Sequence, residues 1–399
     1  MTSTFGNLVE FVSEKSKASA ACLATYISTE NILTNFGGIT TALSLPSNGS
    51  VTKFKTGDTI FSNIRTYFKK VWLAEFNGHC SNDVLVFRTK DEKVLHPDYL
   101  HNICRWGKFT EFTVRTAKGA KMPRGDKEAI AQFELQLPSI EEQVEISKIL
   151  RALDDRITLL RETNKTLESI AQGIFKSWFV DFDPVRAKME GRQPEGMDDD
   201  TAALFPDSFE ESELGLVPKG WEPSRLGSFL ELAYGKALKA DSRRPGGVPV
   251  YGSGGLTGWH DTPLVEVPSI IVGRKGTVGS LYWESRPFFP IDTVFFVKAT
   301  RPLTHCYELL KTLSLSEMNT DAAVPGLNRE NVYRLLVPNA PLEVIEAYHS
   351  TAQILRKSID QNERRGMTLD LLRDTLLPRL ISGQLRLPEA QEKVEEALS

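Results

Sequence analysis

The chain has 399 residues, of which 41% are apolar, 9% aromatic and 25% charged, the profile of an ordinary globular protein and not of a disordered or collagen-like one. At roughly 100–200 residues per domain this length implies two to four domains and excludes a single small module. The formal net charge of −4 speaks against a uniformly basic, histone-like nucleic-acid binder.

The opening Met1-Thr-Ser-Thr-Phe-Gly-Asn7 has neither a basic nor an apolar leader region, and no stretch approaches the roughly 18 consecutive apolar residues of a membrane span, so a cytoplasmic location without membrane contact is expected. Along the chain, Asp58-Thr-Ile-Phe-Ser-Asn-Ile-Arg65 and Ser81-Asn-Asp-Val-Leu-Val-Phe-Arg88 read as strand, turn, strand, being β-branched and aromatic runs bounded by turn formers. An apolar strand, Gln132 to Pro138, closes this half. Ser139 with Glu142 then forms a capping box that opens a long helix.

That helix carries apolar positions at Ile146, Leu150, Leu153, Ile157, Leu160, Leu167, Ala171, Ile174 and Trp178, interrupted by Asn164, alternating steps of four and three as in a heptad seam. Val180 to Gly220 holds 11 acidic and 4 basic residues, with Pro and Gly throughout, and reads as an acidic linker.

The second half repeats the first. Pro268-Ser-Ile-Ile-Val-Gly-Arg-Lys275 and Pro290-Ile-Asp-Thr-Val-Phe-Phe-Val297 match the first pair of blocks, with Asp292 set against Asp83. Arg334-Leu-Leu-Val-Pro338 matches the closing strand, and a second seam of Tyr348, Ala352, Leu355, Ile359, Asn362, Gly366, Leu369, Arg373, Leu376 and Leu380 follows. Helices of about 40 residues would each reach about 60 Å, too long for one small globule, so they pack on each other or on partners. With a pseudo-two-fold between the halves they run antiparallel, Asn164 faces Asn362 and Leu160 faces Gly366, the Asn pair fixing register. Alternatively each Asn faces a water-filled flank. From Pro388 the chain is an acidic helix former with little apolar content, expected to be mobile.

Reaction centres are absent from this pattern. No P-loop motif occurs, and Tyr251-Gly-Ser-Gly-Gly-Leu-Thr-Gly258 reads as a flexible loop or tight turns, being without the spacing of a dinucleotide cradle. Asp181-Phe-Asp-Pro184 lacks the second proline and aromatic of an amino-methyltransferase motif. Cys22, Cys80, Cys104 and Cys306 form no C-x-x-C pair, and the six histidines form no metal cluster, so no metal site and no catalytic residue are expected.

Basic residues do gather beside glycines and aromatics. In the first half these are Arg65, Lys69, Lys70, Lys118, Lys121 and Arg124; in the second, Lys236, Lys239, Arg243, Arg244, Arg274 and Lys275. Such forks suit phosphate oxygens and guanine edges, although ordinary solvated charges give the same pattern. Residues 1–138 carry +4 and 221–338 carry +2, so the acidic surplus lies in the connector and tail while the two globules are mildly basic.

This organisation resembles the specificity subunit of a type I restriction–modification system. The resemblance rests on the tandem halves, on Ser177-Trp-Phe-Val-Asp-Phe-Asp-Pro184 after the first helix, on Leu376-Leu-Pro-Arg-Leu-Ile-Ser-Gly-Gln-Leu385 after the second, on Leu137-Pro-Ser-Ile-Glu-Glu-Gln143, and on Ile270-Ile-Val-Gly-Arg-Lys-Gly276. Pro338 to Val344 departs from it by losing the Glu-Glu-Gln.

It implies an α/β (α+β) fold with two target recognition domains, at 1–138 and 221–338, separated by two long antiparallel coiled helices at 139–180 and 339–385, an acidic linker at 181–220 and a tail at 386–399. It also implies a non-catalytic chain that reads a bipartite, asymmetric double-stranded DNA target. If the half-sites share one face of the duplex, their centres lie about 34 Å apart. The implied partners are two modification (methyltransferase) and two restriction (motor/endonuclease) subunits, and S-adenosylmethionine, ATP and Mg belong to those subunits, with no cofactor in this chain. Contacts to the modification subunits are expected on the outward helix faces and at Trp178, Phe179, Asp181, Phe182, Asp183 and Pro184. The helix-pair seam is expected at Leu153, Ile157, Leu160, Asn164, Leu355, Ile359, Asn362 and Gly366. The other class of reading is a protein-binding coiled-helix scaffold whose globules do not recognise DNA.

Overall fold

The computed structural model describes residues 2–318 and 326–398. The chain divides into two units: residues up to Leu160 together with those from Arg365, and Arg161–Arg364.

In the first unit the strands β1 (Val9–Phe11), β2 (Thr59–Ser62), β3 (Val71–Leu73) and β4 (Val84–Thr89) form an antiparallel sheet in the order β1-β4-β2-β3. Successive side chains of a strand face opposite sides. Leu85 and Phe87 therefore join Phe5, Tyr99, Leu100 and Phe109 on one side, with helices α1 (Pro97–Arg105) and α2 (Gly107–Arg115), while Val84 and Val86 meet Ile27, Ile32 and Phe54 on the other. Both faces are covered, which is why Val84 to Phe87 is an unbroken apolar run.

The helix α3 (Ile140–Phe179) opens on the expected capping box: the Ser139 amide donates to Glu142 Oε2 at 2.9 Å and the Glu142 amide to Ser139 Oγ at 3.2 Å. Gln143, buried at 1% exposure, ties this start to the globule by donating to the Val94 carbonyl and accepting from the His96 amide.

The second unit repeats the sheet with β5 (Leu230–Tyr234), β6 (Ser269–Gly273), β7 (Leu281–Glu284) and β8 (Val294–Ala299), in the order β5-β8-β6-β7. Ile270, Val272, Phe295 and Val297 pack with Cys306 and Leu310 of α4 (Leu303–Thr312). His305 and Cys306 lie on this helix. Of the two readings of the glycine-rich segment the tight turn holds: Val248–Gly252 pairs with Gly255–His260 in a hairpin.

The helix α5 (Leu342–Ile381) has the same 40-residue length as α3, displaced by 202 positions at both ends. Ile345 stands where α3 has Gln143 and is equally buried, so an apolar anchor replaces the polar tether at the start that lacks Glu-Glu-Gln.

The two helices are antiparallel within each unit. In the first, Leu150, Leu153, Ile157 and Leu160 share a cluster with Leu369, Leu376 and Leu380. In the second, Tyr348 Oη donates to the Ala171 carbonyl at 3.2 Å and packs with Phe175 and Trp178. The Asn pair forms: Asn362 Nδ2 donates to Asn164 Oδ1 at 2.9 Å, and Asn164 Nδ2 to the Ile359 carbonyl at 3.3 Å. Ile359 is buried beside the pair and Leu355 is half-buried. The expected fit of Leu160 over Gly366 does not form. A Cβ on Gly366 would have no neighbour within 4 Å, because Leu160 is drawn into the cluster containing Leu369.

Two further readings are corrected. Residues 181–220 are folded: helices Asp183–Met189 and Asp199–Ala203 and the hairpin Phe209–Ser212 with Gly215–Pro218. Widely spaced anchors, Phe182, Val185 and Phe205, enter the second core with Trp221, and Lys188 Nζ donates to the Ala202 and Phe205 carbonyls. The tail forms α6 (Leu387–Leu398), whose Ala390 and Val394 are buried in the first core. In both segments a few apolar residues at helical spacing do the packing that a composition average hides.

His305 gives the second unit a pH dependence. It is 3% exposed, its Nδ1 has no hydrogen-bond partner, and its ring lies 5.5 Å from that of Phe175 and 5.0 Å from that of Phe179. Burial, with help from the Arg301 charge, pushes its pKa down to about 3. Folding therefore favours the neutral ring, so its contribution is complete above the unfolded value of about 6.5 and is lost as pH falls toward 3. The stability of the second unit against denaturation should fall by about 1.4 kcal/mol per pH unit as pH drops from 6.5 to 4.5, and His305→Gln should remove that slope. A slope unchanged by the substitution refutes the assignment.

Candidate nucleic-acid interface

The turn after β2 and the loop at 117–126 are joined by main-chain bonds, Arg65 N to the Pro123 carbonyl at 2.8 Å and Gly125 N to the Asn63 carbonyl at 3.0 Å. This joint brings Arg65, Lys69, Lys118 and Arg124 to one corner of the first unit. A Cβ on Gly125 would stand 2.6 Å from Asn63 Oδ1, so any larger residue there would have to displace the Asn63 side chain. Arg124 pairs with Asp83 at 2.9 Å and Lys118 with Asp126 at 2.5 Å, and the Lys118 partner holds the Asp126 carboxyl below its ordinary range. Arg65, Lys69 and Lys121 have no side-chain hydrogen bond or ion pair among the described residues.

The second unit builds the same corner after β6. Arg274 N donates to the Thr293 carbonyl at 2.9 Å, as Asn63 N does to the Asp83 carbonyl, and Leu327 N donates to the Arg274 carbonyl at 2.9 Å, as Gly125 N does to that of Asn63. The bridges Ile64 to Arg124 and Lys275 to Gly326 also match. Asp83 therefore corresponds to Thr293 and not to Asp292, a shift of one residue that neighbouring acidic turn residues disguise in the sequence. The charges have moved: Asn63, Ile64, Arg65 and Arg124 of one corner are replaced by Arg274, Lys275, Gly276 and Gly326 in the other.

Arg274 Nη1 donates to the Asp292 carbonyl at 3.0 Å, and its guanidinium lies 4.9 Å from the centre of the Tyr234 ring. Arg329 stands at the same distance from that ring. Tyr234, half-exposed, thus has two guanidiniums against its ring, a contact worth about 0.5–1 kcal/mol at an exposed site. Sequence reasoning missed Tyr234 and Arg329; the former adjoins Gly235-Lys236 in a basic cluster, whereas nothing in the local sequence marks the latter. Lys236 lies two residues after Tyr234. Lys236, Lys239 and Lys275 have no side-chain partner among the described residues.

Three expected DNA-facing residues are, like Lys118 and Arg124, engaged by acceptors within the chain. Lys70 Nζ donates to the Thr29 carbonyl at 2.5 Å. Arg243 donates to the Thr257 carbonyl at 2.6 Å and to its hydroxyl at 3.1 Å. Arg244 pairs with Asp261, whose pKa it pulls down to about 2. Each side chain is engaged by a nearby acceptor that a linear sequence does not show.

The expected contact segment for modification subunits is likewise corrected. Trp178, Phe179, Phe182 and Pro184 are buried, the three aromatics in the second core with Trp221 and Tyr348. Only Asp183 is exposed and Asp181 half-buried, and Asp181 pairs with Lys176. The apolar character that suggested an interface fills the core. Among the described residues no three His, Cys, Asp or Glu side chains are grouped to hold a metal ion, and no helix is long and apolar enough to cross a membrane.

The model of the type I restriction modification DNA specificity domain matches residues 14–169. The chain is 23% identical to the type I restriction enzyme HindI specificity subunit of Haemophilus influenzae, over 96% of this chain and 98% of that one. It is 24% identical to the MjaIX specificity subunit of Methanocaldococcus jannaschii, over 73% and 70%. The crystal structure of the type I restriction–modification S subunit from M. genitalium has the same fold, with a TM-score of 0.53 at 17% identity over 95% of each chain. With its tandem sheets, its matched corners and a likeness that runs along nearly its whole length, the chain is similar to the specificity subunits of type I restriction–modification systems.

Proposed function

We propose that this chain is the non-catalytic DNA-reading subunit of a type I complex, in which each unit reads one half of a bipartite asymmetric duplex target. The observation that carries this is the pair of corners, whose main-chain frame is the same while their cations stand at different positions. An identical frame with different side chains suits two half-sites of different sequence. In this reading the chain also holds two methyltransferase and two motor/endonuclease subunits, which supply the chemistry together with S-adenosylmethionine, ATP and Mg, in the cytoplasm.

The modest charge of the two globules implies weak DNA binding by the isolated chain and leans on its partners for phosphate contacts. Binding of the chain with its modification subunits to duplex DNA should weaken steeply with salt, log K falling by about 0.9 per phosphate contact in log salt. Methylome sequencing of cells carrying it should show adenine methylation at one split, asymmetric motif. A salt slope near zero and no such motif would favour the coiled-helix scaffold.

A further inference from the structure

In the first corner a single 3-10 turn, Thr66–Phe68, is flanked by Arg65 at φ 51° and Lys69 at φ 53°, both left-handed. The turn is held from two sides. The amides of Asn35 and Phe36, themselves left-handed, donate to the carbonyls of Phe68 and Lys69 at 3.0 and 2.9 Å; from the other side, Arg65 N donates to the Pro123 carbonyl at 2.8 Å. Thr66 is buried beneath it, while Tyr67 and Phe68 are 47% and 38% exposed with their ring centres 4.8 Å apart.

The second corner shows what this turn is without those residues. There the left-handed positions fall on Gly276 and Gly279, at φ 83° and 72°, with Thr277-Val278 between them. Ser62 N donates to the Lys70 carbonyl as Gly273 N does to that of Ser280, so Arg65 and Lys69 stand where Gly276 and Gly279 stand. Glycine is the unstrained residue at both places, so the first unit holds a cation on each side of two exposed aromatics in spite of backbone strain. Strain of this kind persists where the surroundings enforce it and clusters at binding sites.

We propose that this turn is a wedge for duplex DNA. Arg65 and Lys69 hold phosphates on either side of one base step, and the Tyr67-Phe68 pair enters that step and partly unstacks it. The first half-site is then read partly through deformability, favouring a flexible pyrimidine–purine step, and the second is read without this distortion. The occupant is DNA and not a protein because the aromatics are bracketed by two cations without side-chain partners among the described residues. The proposal rests on the reading of the corners as a DNA interface.

The test uses the chain assembled with its modification subunits and duplexes carrying the methylated motif found in the host genome, with 2-aminopurine placed in turn at each adenine other than those that become methylated, which the methyltransferase itself flips out of the stack. Fluorescence should rise about threefold or more at one step of one half-site, as expected of an unstacked base. Tyr67→Ala/Phe68→Ala should abolish that rise while leaving assembly, random-duplex binding and the other half-site unchanged. Tyr67→Leu/Phe68→Leu, which keeps apolar bulk, should retain an intermediate rise. Specific binding by the natural chain with no rise at any position overturns the wedge and leaves the DNA reading standing. Loss of assembly in the double variants makes the turn a protein contact and also overturns it. Failure of the natural assembly to bind any duplex overturns the DNA reading itself.

Discussion

Replacing Asp154 by alanine is expected to destabilise the first unit by about 3 kcal/mol. Asp154 on α3 accepts from Arg105 of α1 through both carboxylate oxygens and from Arg373 of α5 at 2.9 Å. The side chains of Arg105 and Arg373 are 5% and 8% exposed. Arg373 keeps Asp370 and Asp374 when Asp154 is removed, but among the described residues Arg105 has no other carboxylate and its Nε is already without a partner. A buried guanidinium would then stand uncompensated, and the remaining 29% exposure of the Asp154 side chain sets the loss at the lower end of the range for broken buried pairs.

The two guanidiniums hold the Asp154 carboxyl below its ordinary pKa against the opposing effect of burial. Its contribution is thus present above the unfolded value and fades as pH falls below about 4. Chemical denaturation of Asp154→Ala and of the double variant Asp154→Leu/Arg105→Met checks this: the double variant should recover most of the loss, since no unpaired charge remains. Equal losses in both would mean that packing and not charge compensation explains the effect.

The seam carried the long helices in plain view. A four-and-three alternation over several heptads leaves one placement for α3 and α5, and the polar breaks at Asn164 and Asn362, being the same chemistry on antiparallel partners, gave the register that their hydrogen bond fulfils. The helix starts were equally legible where a capping box existed. Gly366 was not: its openness follows from where Leu160 and Leu369 settle, which is a packing outcome and not a pattern. Residues 181–220 and the tail were misread because charge density sets the average, while burial is decided by a few anchors such as Phe182, Val185 and Val394. The same limit applies to the interface. Sequence located the basic clusters, but whether a cation is free depends on acceptors distant in the chain, such as the Thr29 carbonyl for Lys70 or Asp261 for Arg244. The shared frame of the two corners became visible only through main-chain bonds, because insertions between the blocks displace one half against the other by different amounts.

Arg274→Ala is expected to weaken binding of the specific duplex by about 5- to 150-fold, or about 1–3 kcal/mol, and to relax one base position. Arg274 is half-buried and braced on the Asp292 carbonyl and the Tyr234 ring, so little side-chain entropy remains to be lost on contact, and its planar fork matches the O6 and N7 edge of guanine. Lys275, exposed on the next residue with no side-chain partner among the described residues, is placed as a point charge for a phosphate. Lys275→Ala should therefore weaken specific and random duplexes alike and reduce the salt slope by about 1. Arg274→Lys should not rescue, since an ammonium provides neither the fork nor the flat face against Tyr234. Tyr234→Ala should reproduce part of the Arg274→Ala loss on the specific duplex with little change on random DNA, because it frees the guanidinium without removing it. Titrations of the assembled complex with target, single-substituted and random duplexes at several salt concentrations separate these outcomes. Uniform weakening by Arg274→Ala across all three would move it to the backbone, and unchanged binding on all three would remove the second corner from the interface.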